Sequence, residues 1–470
     1  MKSPISVTDI TDQTLLYQAH EKIYPREISG YFQQLRAATI GIILTIFYGL
    51  AWVDWNGHQA VLFDLPKRQF HIFSLTFWPQ DFYLLTWLLI IGALSLFLAT
   101  ALAGRVWCGY ACPQTVWTEI FLFFERLTEG HYRQRKTLDQ APWGPNKILR
   151  KISKQVLWIG FALLTGFTFV GYFTPIKTLA NNIASFSLSG WEWFWLLFYG
   201  FATYGNAGFL REQVCQYLCP YARFQSAMLD KDSLVISYDQ QRGEPRRGRK
   251  ETNTNTTNTK TGDCINCNIC VQVCPTGIDI RDGLQYECIG CAACIDACNQ
   301  VMRKIGKPLG LIHYHSENRS QDSSSHSWFS ALMRPRILIY SALWLLLVTG
   351  FVLFINQRPL ISAEILKDRN SLYQVIGSDH IDNVYRLKLI NKSQTLKDIT
   401  ITLKNTPGAQ LLGPNQATQV NPHSMQNLAL RVRMPLSNNS GPMSIHFVVS
   451  SKSEQLEIPS TFWFPFNEPR

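Results

Sequence analysis

Long apolar runs, separated by polar and charged segments, occupy most of the first 355 residues of this sequence. A helix that crosses the hydrocarbon layer of a membrane needs about 20 apolar residues. Five runs reach or approach that length, at 37–53, 82–103, 156–173, 191–210 and 337–355. The pattern therefore predicts an α-helical membrane bundle of five spans, with soluble segments between and after them.

The residues after 355 follow a different pattern. Apolar and polar positions alternate in short runs at 384–389, 399–403, 428–433 and 445–449, and Pro and Asn turn signals separate the runs. Alternation with a period of two is typical of strands that bury one face. The pattern predicts an antiparallel β-sandwich of the immunoglobulin type over 356–470.

The distribution of charge suggests an orientation for the bundle. The chain has 44 Lys and Arg against 33 Asp and Glu. Basic residues crowd the 126–154 loop, whereas the connections near 57–81 and 175–190 hold only Lys67, Arg68 and Lys177. By the positive-inside rule the 126–154 loop is cytoplasmic and the sandwich periplasmic. This favours a multi-pass protein of the bacterial inner membrane over a nucleic-acid-binding protein, with anionic lipid as the partner of the basic residues at 242–249.

Eight of the 12 cysteines form two runs, each with the C-x2-C-x2-C-x3-C spacing of bacterial ferredoxins. In such runs three thiolates hold one 4Fe–4S cluster and the fourth reaches the other cluster. The predicted ligands are Cys264, Cys267, Cys270 and Cys298 for the first cluster, and Cys274, Cys288, Cys291 and Cys294 for the second. Disulfides are the alternative, but cysteines at this spacing suit a soft metal better. The runs indicate a one-electron relay in a reducing compartment.

The other four cysteines form two C-x-Y-x-C-P repeats, each at the end of a pair of spans: Cys108 and Cys112, then Cys215 and Cys219. The i, i+4 spacing predicts both thiols of a pair on one helical face, and the following Pro suits the first turn of a new helix. Soft thiolates favour Cu(I) or an iron–sulfur cluster. The alternative is four buried thiols that pack as small apolar groups.

Other candidate groups carry less weight. The sequence has no C-x-x-C-H, G-x-G-x-x-G or Walker lysine motif. His58 and His71 are interpreted as interfacial polar residues rather than metal ligands, and His313 and His315 as solvent-facing. The scattered Met and His residues of the tail are interpreted as sandwich residues: Met425, Met434, Met443 and His446.

Taken together, these patterns predict seven segments. They are a cytoplasmic leader (1–35), a four-span membrane domain (36–230), a basic and Thr/Asn-rich linker (231–263), a double 4Fe–4S ferredoxin-like domain (264–312), a connector (313–336), a fifth transmembrane helix (337–355) and a periplasmic immunoglobulin-like domain (356–470).

At 104–117, 212–224, 238–246 and the cysteine runs through Met302, the chain resembles the cytochrome c oxidase accessory protein family called CcoG, FixG or RdxA. The resemblance implies a cupric reductase that assists assembly of the copper centre of a haem-copper cytochrome c oxidase. The eight ferredoxin-type cysteines would then deliver electrons, while copper would be handled by Cys108, Cys112, Cys215 and Cys219. The implied partners are copper ion and oxidase-assembly or copper-transport proteins, with the electron donor unknown and a homodimer left open.

Two rival functions fit the same motifs. One is a quinol-linked polyferredoxin relay to a periplasmic respiratory reductase, which has no reason to bind copper. The other is a non-catalytic copper-binding assembly scaffold whose clusters are structural.

Overall fold

The computed structural model describes residues 22–230, 232–246, 262–316, 333–368, 371–404, 406–413, 418–436, 440–451 and 454–465. The predicted leader, linker and connector lie partly outside these residues, at 1–21, 247–261 and 317–332. The chain divides into two compact units. The first, called the cluster unit, comprises Met1–Gly49, Ala93–Val170 and Leu188–Ser341; the second, the sandwich unit, comprises Leu50–Gly92, Gly171–Ser187 and Ala342–Arg470.

Helices account for most of the described chain before residue 358. They are α1 (Tyr31–Leu50), α2 (Phe82–Ala103), α3 (Val106–Tyr110), α4 (Pro113–Glu129), α5 (Tyr132–Gln140), α6 (Pro145–Val170), α7 (Ile176–Ala184), α8 (Gly190–Thr203), α9 (Pro220–Met228), α10 (Gln240–Gly243), α11 (Ile269–Gln272), α12 (Ala293–Lys304) and α13 (Pro335–Gln357). Two π-helical segments, Tyr204–Leu210 and Val214–Leu218, lie between α8 and α9.

In the part of the chain that the structure describes, three helical stretches are long and apolar enough to cross a membrane: Pro79–Ala103, which contains α2, then α6 and α13. They confirm the prediction of a membrane protein. Helix α1 is long enough, but Gln33, Gln34 and Arg36 make its first two turns polar. Helix α8 has only 14 residues before it passes into the π-helical segment at Tyr204. The prediction of five spans is therefore supported for three helices and stays a prediction for the other two.

The sandwich unit contains the immunoglobulin-like domain predicted from alternation. Its first sheet has the order β12 (Gln410–Leu412), β14 (Ser424–Pro435), β10 (His380–Asn391), β8 (Ile361–Lys367), and β9 (Gln374–Ile376) also pairs with β10. The second has the order β13 (Thr418–Val420), β11 (Lys397–Lys404), β15 (Gly441–Ser450), β16 (Gln455–Phe464). All pairings are antiparallel among these described strands. Alternate residues such as Tyr385, Leu387 and Leu389 are fully buried and form the core between the sheets.

The sandwich unit also contains short strands that the sequence patterns did not predict. Strands β1 (Asp54–Trp55) and β2 (His58–Gln59) form a hairpin, and β3 (Val61–Asp64), β4 (Gln69–Ile72) and β5 (Leu75–Phe77) form a meander. Runs of two to four residues carry too little periodicity to be recognised in the sequence.

In the cluster unit, one small sheet brackets the two cysteine runs. Strand β6 (Val235–Tyr238) pairs antiparallel with β7 (Ile312–His315), so that Tyr238 lies opposite Ile312. The segment that carries both cysteine runs therefore begins and ends at this sheet. His313 and His315 lie on β7 as half-buried residues, on a strand as predicted but not fully facing solvent.

Candidate iron–sulfur and thiol sites

The two cysteine runs repeat one backbone conformation. Asn266 and Gly290 occupy equivalent positions and both have positive φ, at 47° and 69°. Asn268 and Ala292 are also equivalent, with φ of 57° and 60°, and each precedes a short helix, α11 or α12. Asn and Gly adopt this left-handed conformation readily, whereas Ala does so at a cost. The strained Ala292 indicates that the loop shape is imposed by what it surrounds.

The four cysteines assigned to the first cluster line one cavity, together with Tyr238, Met302 and Arg281. Cys264 and Cys270 are buried, and burial raises the pKa of the Cys270 thiol to about 11. Arg281 opposes that shift.

Arg281 is hydrogen-bonded to the loop of the first cysteine run. Its guanidinium donates to the side-chain oxygens of Asn266 (2.7 Å) and Asn268 (2.8 Å) and to Asp279. The arginine is only 6% exposed. It therefore fastens both left-handed residues of the first run and places a positive charge beside the thiols.

The four cysteines assigned to the second cluster are also neighbours. The pKa of the Cys294 thiol is raised by burial and then by the thiols of Cys291, Cys288 and Cys274. Burial likewise raises the pKa of Cys288 to about 12. Arg36 opposes the shift at Cys291.

Both sets of residues fit a 4Fe–4S cluster. Each offers four thiols brought together from two runs, loops that curve around a common point, and one buried or nearly buried arginine, Arg281 or Arg36. Thiols with raised pKa values bind metal by releasing protons, and the charge of the metal drives that release.

The C-x3-C-P cysteines lie at helix boundaries. Cys108 belongs to α3, while Cys112 is extended and precedes Pro113, the first residue of α4. Cys215 lies in the second π-helical segment, and Cys219 is extended before α9. The prediction that Pro begins a new helix is confirmed. The prediction that each pair occupies one helical face is wrong, because a residue before Pro is pushed to extended conformations and the helix ends between the two thiols.

The fold nevertheless brings both pairs together. Burial and, to a smaller extent, the neighbouring thiols of Cys112, Cys215 and Cys219 together raise the pKa of the Cys108 thiol to about 12. Burial also raises the pKa of Cys215 to about 12. The four thiols thus form a single group, which we call the thiol site.

Two glutamines attach the elements that carry the thiol site. Gln114 on α4 donates to the backbone oxygens of Asn206 (2.9 Å) and Arg211 (3.0 Å), so the first repeat holds the chain just before the second. Gln225 on α9 is fully buried and accepts a hydrogen bond from the Cys108 thiol at 3.4 Å.

The thiol site adjoins the second cysteine run at a glycine. A Cβ atom on Gly109 would lie 2.9 Å from Cys291 Cα and 2.9 Å from the backbone oxygen of Ile289. Arg105 reinforces the contact by donating to the backbone oxygens of Cys288 (3.3 Å) and Ala222 (3.0 Å). The residue beside Cys108 is therefore in backbone contact with a predicted ligand of the second cluster.

A cavity of mixed polar and apolar lining opens beside the same place. Cys215 lines it on one side, and Pro275 and Thr276 of the first cysteine run line it on the other. Its wall carries charges of both signs, from Glu119 and Glu212 and from Arg36 and Arg211.

The remaining candidates behave differently. Among the residues that the structure describes, no three His, Cys, Asp or Glu side chains are placed to hold a single metal ion. Met434 is a buried core residue of the sandwich, Met443 packs against that core, and His446 pairs with Glu457 at 3.1 Å. These contacts agree with their interpretation as sandwich residues.

Sequence reasoning did not single out Gly109, Arg36, Arg281 or Gln225. One sequence feature could have pointed to Gly109: the first C-x-Y-x-C-P repeat has a glycine at the position where the second has Gln216. The others are ordinary polar residues whose partners lie far away in the sequence.

Comparison with known proteins agrees with this organisation. The family model of a 4Fe–4S dicluster domain matches residues 210–317, that of an IG-like fold at the C-terminus of FixG matches 351–465, and that of a 4Fe–4S binding domain matches 85–129.

Relatives match over most of the chain. It is 36% identical to nitrogen fixation protein FixG of Rhizobium meliloti, over 86% of this chain and 83% of that protein. It is 39% identical to protein RdxA of Cereibacter sphaeroides, over 80% of this chain and 81% of that protein. The crystal structure of a FixG-related protein from Vibrio parahaemolyticus is 29% identical and covers 23% of this chain and 97% of that one, with a TM-score of 0.21.

Proposed function

The chain belongs to the FixG and RdxA family of membrane iron–sulfur electron-transfer proteins, and we propose that it reduces Cu(II) to Cu(I). The reduced ion would serve assembly of the copper centre of a haem-copper cytochrome c oxidase. The observation that carries the proposal is the contact between Gly109 and Cys291, because it joins an electron-transfer module to a group of four soft ligands.

Supplying electrons for this reaction requires little from the protein beyond holding the 4Fe–4S clusters. When bound, 4Fe–4S clusters supply single electrons, which is the stoichiometry of Cu(II) reduction. The chain's own contribution is to hold the eight ligands in half-buried or buried positions and to set positive charge beside them at Arg281 and Arg36.

The copper half depends on the thiol site. Cu(II) gains one electron and becomes Cu(I), and thiolates are soft ligands that favour the reduced ion. A site that binds the product more tightly than the reactant raises the driving force for the electron transfer. The cavity beside Cys215 supports the proposal, because it leaves one thiol of the thiol site on the wall of an open space.

The proposed orientation follows the charge pattern. With the 126–154 loop in the cytoplasm of a bacterium, the cluster unit would work in a reducing compartment and the sandwich domain would face the periplasm. Copper-transport or oxidase-assembly proteins are the proposed acceptors of Cu(I).

One observation favours a second function. The 4Fe–4S binding model matches 85–129, the segment that contains Cys108 and Cys112. The four thiols of the thiol site would then hold a third cluster, and the chain would be a relay that passes electrons onward rather than a reductase of copper.

Anaerobic copper reduction distinguishes the two functions. Dithionite-reduced protein, freed of excess reductant, is mixed with Cu(II), and Cu(I) is measured with a colorimetric chelator. Wild type is compared with a variant carrying Ser at Cys108, Cys112, Cys215 and Cys219. The reductase proposal expects this variant to keep its cluster spectrum and iron content but to lose Cu(II) reduction.

The other outcomes have definite meanings. Equal rates in wild type and variant would refute copper reduction at the thiol site. A loss of about four irons per chain in the variant would instead favour the third cluster.

A further inference from the structure

Three histidines from separate parts of the sequence meet in the sandwich unit. The rings of His58 on β2 and His71 on β4 are stacked, with centroids 4.3 Å apart. His423, just before β14, presents its ring nearly perpendicular to both, at 5.9 Å from His58 and 6.1 Å from His71. The sequence interpretation of His58 and His71 as interfacial polar residues is incomplete, because it did not foresee the third ring.

Two of the three rings are held by a hydrogen bond at Nδ1. Nδ1 of His58 lies 2.9 Å from the backbone oxygen of Gln59, and Nδ1 of His71 lies 3.0 Å from Thr76 Oγ1. A second hydrogen bond of this kind orients the ring of a metal-bound histidine and leaves Nε2 for the ion. The buried Nδ1 of His423 has no hydrogen-bond partner among the described residues.

His423 is also held in an unfavourable backbone conformation. Its φ is +49°, in the left-handed region that residues other than glycine seldom adopt. Its backbone oxygen accepts from Gln69 Nε2 at 3.0 Å, and its backbone nitrogen donates to Ser393 at 3.3 Å. Local strain that is maintained by such contacts is a feature of functional sites.

Imidazole suits zinc and copper as a ligand, and its neutral form is the one that binds the metal.

We propose that His58, His71 and His423 form a binding site for a divalent transition-metal ion of the Cu(II) or Zn(II) class. As the rings stand they pack on one another and do not converge on one point. Binding therefore requires the rings to turn about χ2, a torsion with a broad distribution in histidine, until their nitrogens lie about 2.0–2.1 Å from the ion. The site does not depend on the proposed copper reduction, since none of its residues belongs to the thiol site.

The test uses full-length, oxidised protein in detergent with one equivalent of Cu(II). Oxidised 4Fe–4S clusters have no net electron spin, so the electron paramagnetic resonance signal reports Cu(II) alone. Wild type is expected to show couplings from at least two imidazole nitrogens. The variants His58→Asn and His423→Asn are expected to lose them, and His446→Asn is the matched control because His446 lies half-buried on β15 of the same unit and pairs with Glu457 instead.

A second measurement keeps the test valid if a variant folds poorly. Zn(II) is expected to raise the melting temperature of wild type and His446→Asn, and to leave that of His58→Asn unchanged. The proposal is overturned if wild type shows no imidazole-bound Cu(II), or if His58→Asn and His423→Asn keep the wild-type couplings.

Discussion

Replacing Gly109 by Ala tests the proposed electron path with a single methyl group. Gly109 lies in α3 between Cys108 and Tyr110, and it faces the backbone of the second cysteine run. The substitution changes no thiol and no charge. Any effect on copper reduction therefore reports the contact between the thiol site and the second cluster loop.

The size of the perturbation follows from the distances. The new Cβ would lie 2.9 Å from Cys291 Cα and 3.0 Å from Cys291 N, where nonbonded carbon atoms prefer about 3.5–4.0 Å. Because both partners are backbone atoms, the two loops must part by roughly 0.5–1 Å. Overpacking of this kind costs about 1–3 kcal/mol of stability.

The assay measures Cu(I) formation under nitrogen, with iron content and cluster spectrum determined on the same sample. Electron transfer falls exponentially with distance, so we expect the Gly109→Ala variant to keep its iron and to reduce Cu(II) several times more slowly. Gly160→Ala is the matched control, since a Cβ at Gly160 meets nothing within 4 Å. A wild-type rate in Gly109→Ala, with full iron content, would refute an electron path through this contact.

Three further predictions concern the clusters, the topology and a buried ion network. Anaerobically purified protein should contain about eight irons per chain, and a value near four would remove one of the two clusters. A reporter fused after Pro359 should lie outside the cytoplasm and one inserted within 240–262 inside; the reverse result would overturn the charge-based orientation. Glu125 is fully buried and pairs with Arg135 at 3.0 Å and Arg211 at 3.1 Å. The substitution Glu125→Gln should lower the free energy of unfolding by about 3–5 kcal/mol, because the buried cations lose their partner. Burial opposes ionisation of Glu125, but the surrounding cations prevail and lower its pKa from 4.5 to about 2. The ionised side chain therefore contributes its full stabilisation above pH 4.5 and loses it only towards pH 2. Denaturant unfolding of the Glu125→Gln variant should show the same loss of stability at pH 5 and at pH 8.

The sequence alone determined the features that depend on local spacing. The cysteine runs predict two ligand sets, because the first three thiols of a C-x2-C-x2-C-x3-C segment hold one cluster and the fourth reaches the other. The alternation after residue 356 specified sandwich strands, since a strand with one buried face must repeat with a period of two. Length and hydropathy likewise predicted α2, α6 and α13 as helices long and apolar enough to cross a membrane.

Predictions from sequence spacing failed or were weakened where a second local preference opposed the first. The i, i+4 spacing of Cys108 and Cys112 suggested a single helical face, but the following Pro113 moves Cys112 to an extended conformation. Polar residues in α1 and the π-helical end of α8 weakened two of the five predicted spans.

Only the tertiary structure decided which distant residues meet. Three contacts join segments whose separation in the sequence carries no periodic signal. They are the backbone contact of Gly109 with Cys291, the hydrogen bond from Arg281 to Asn266, and the ring contact of His423 with His58. Such contacts arise because packing brings whole elements together, and the absence of one Cβ or the reach of one side chain then determines how closely they approach.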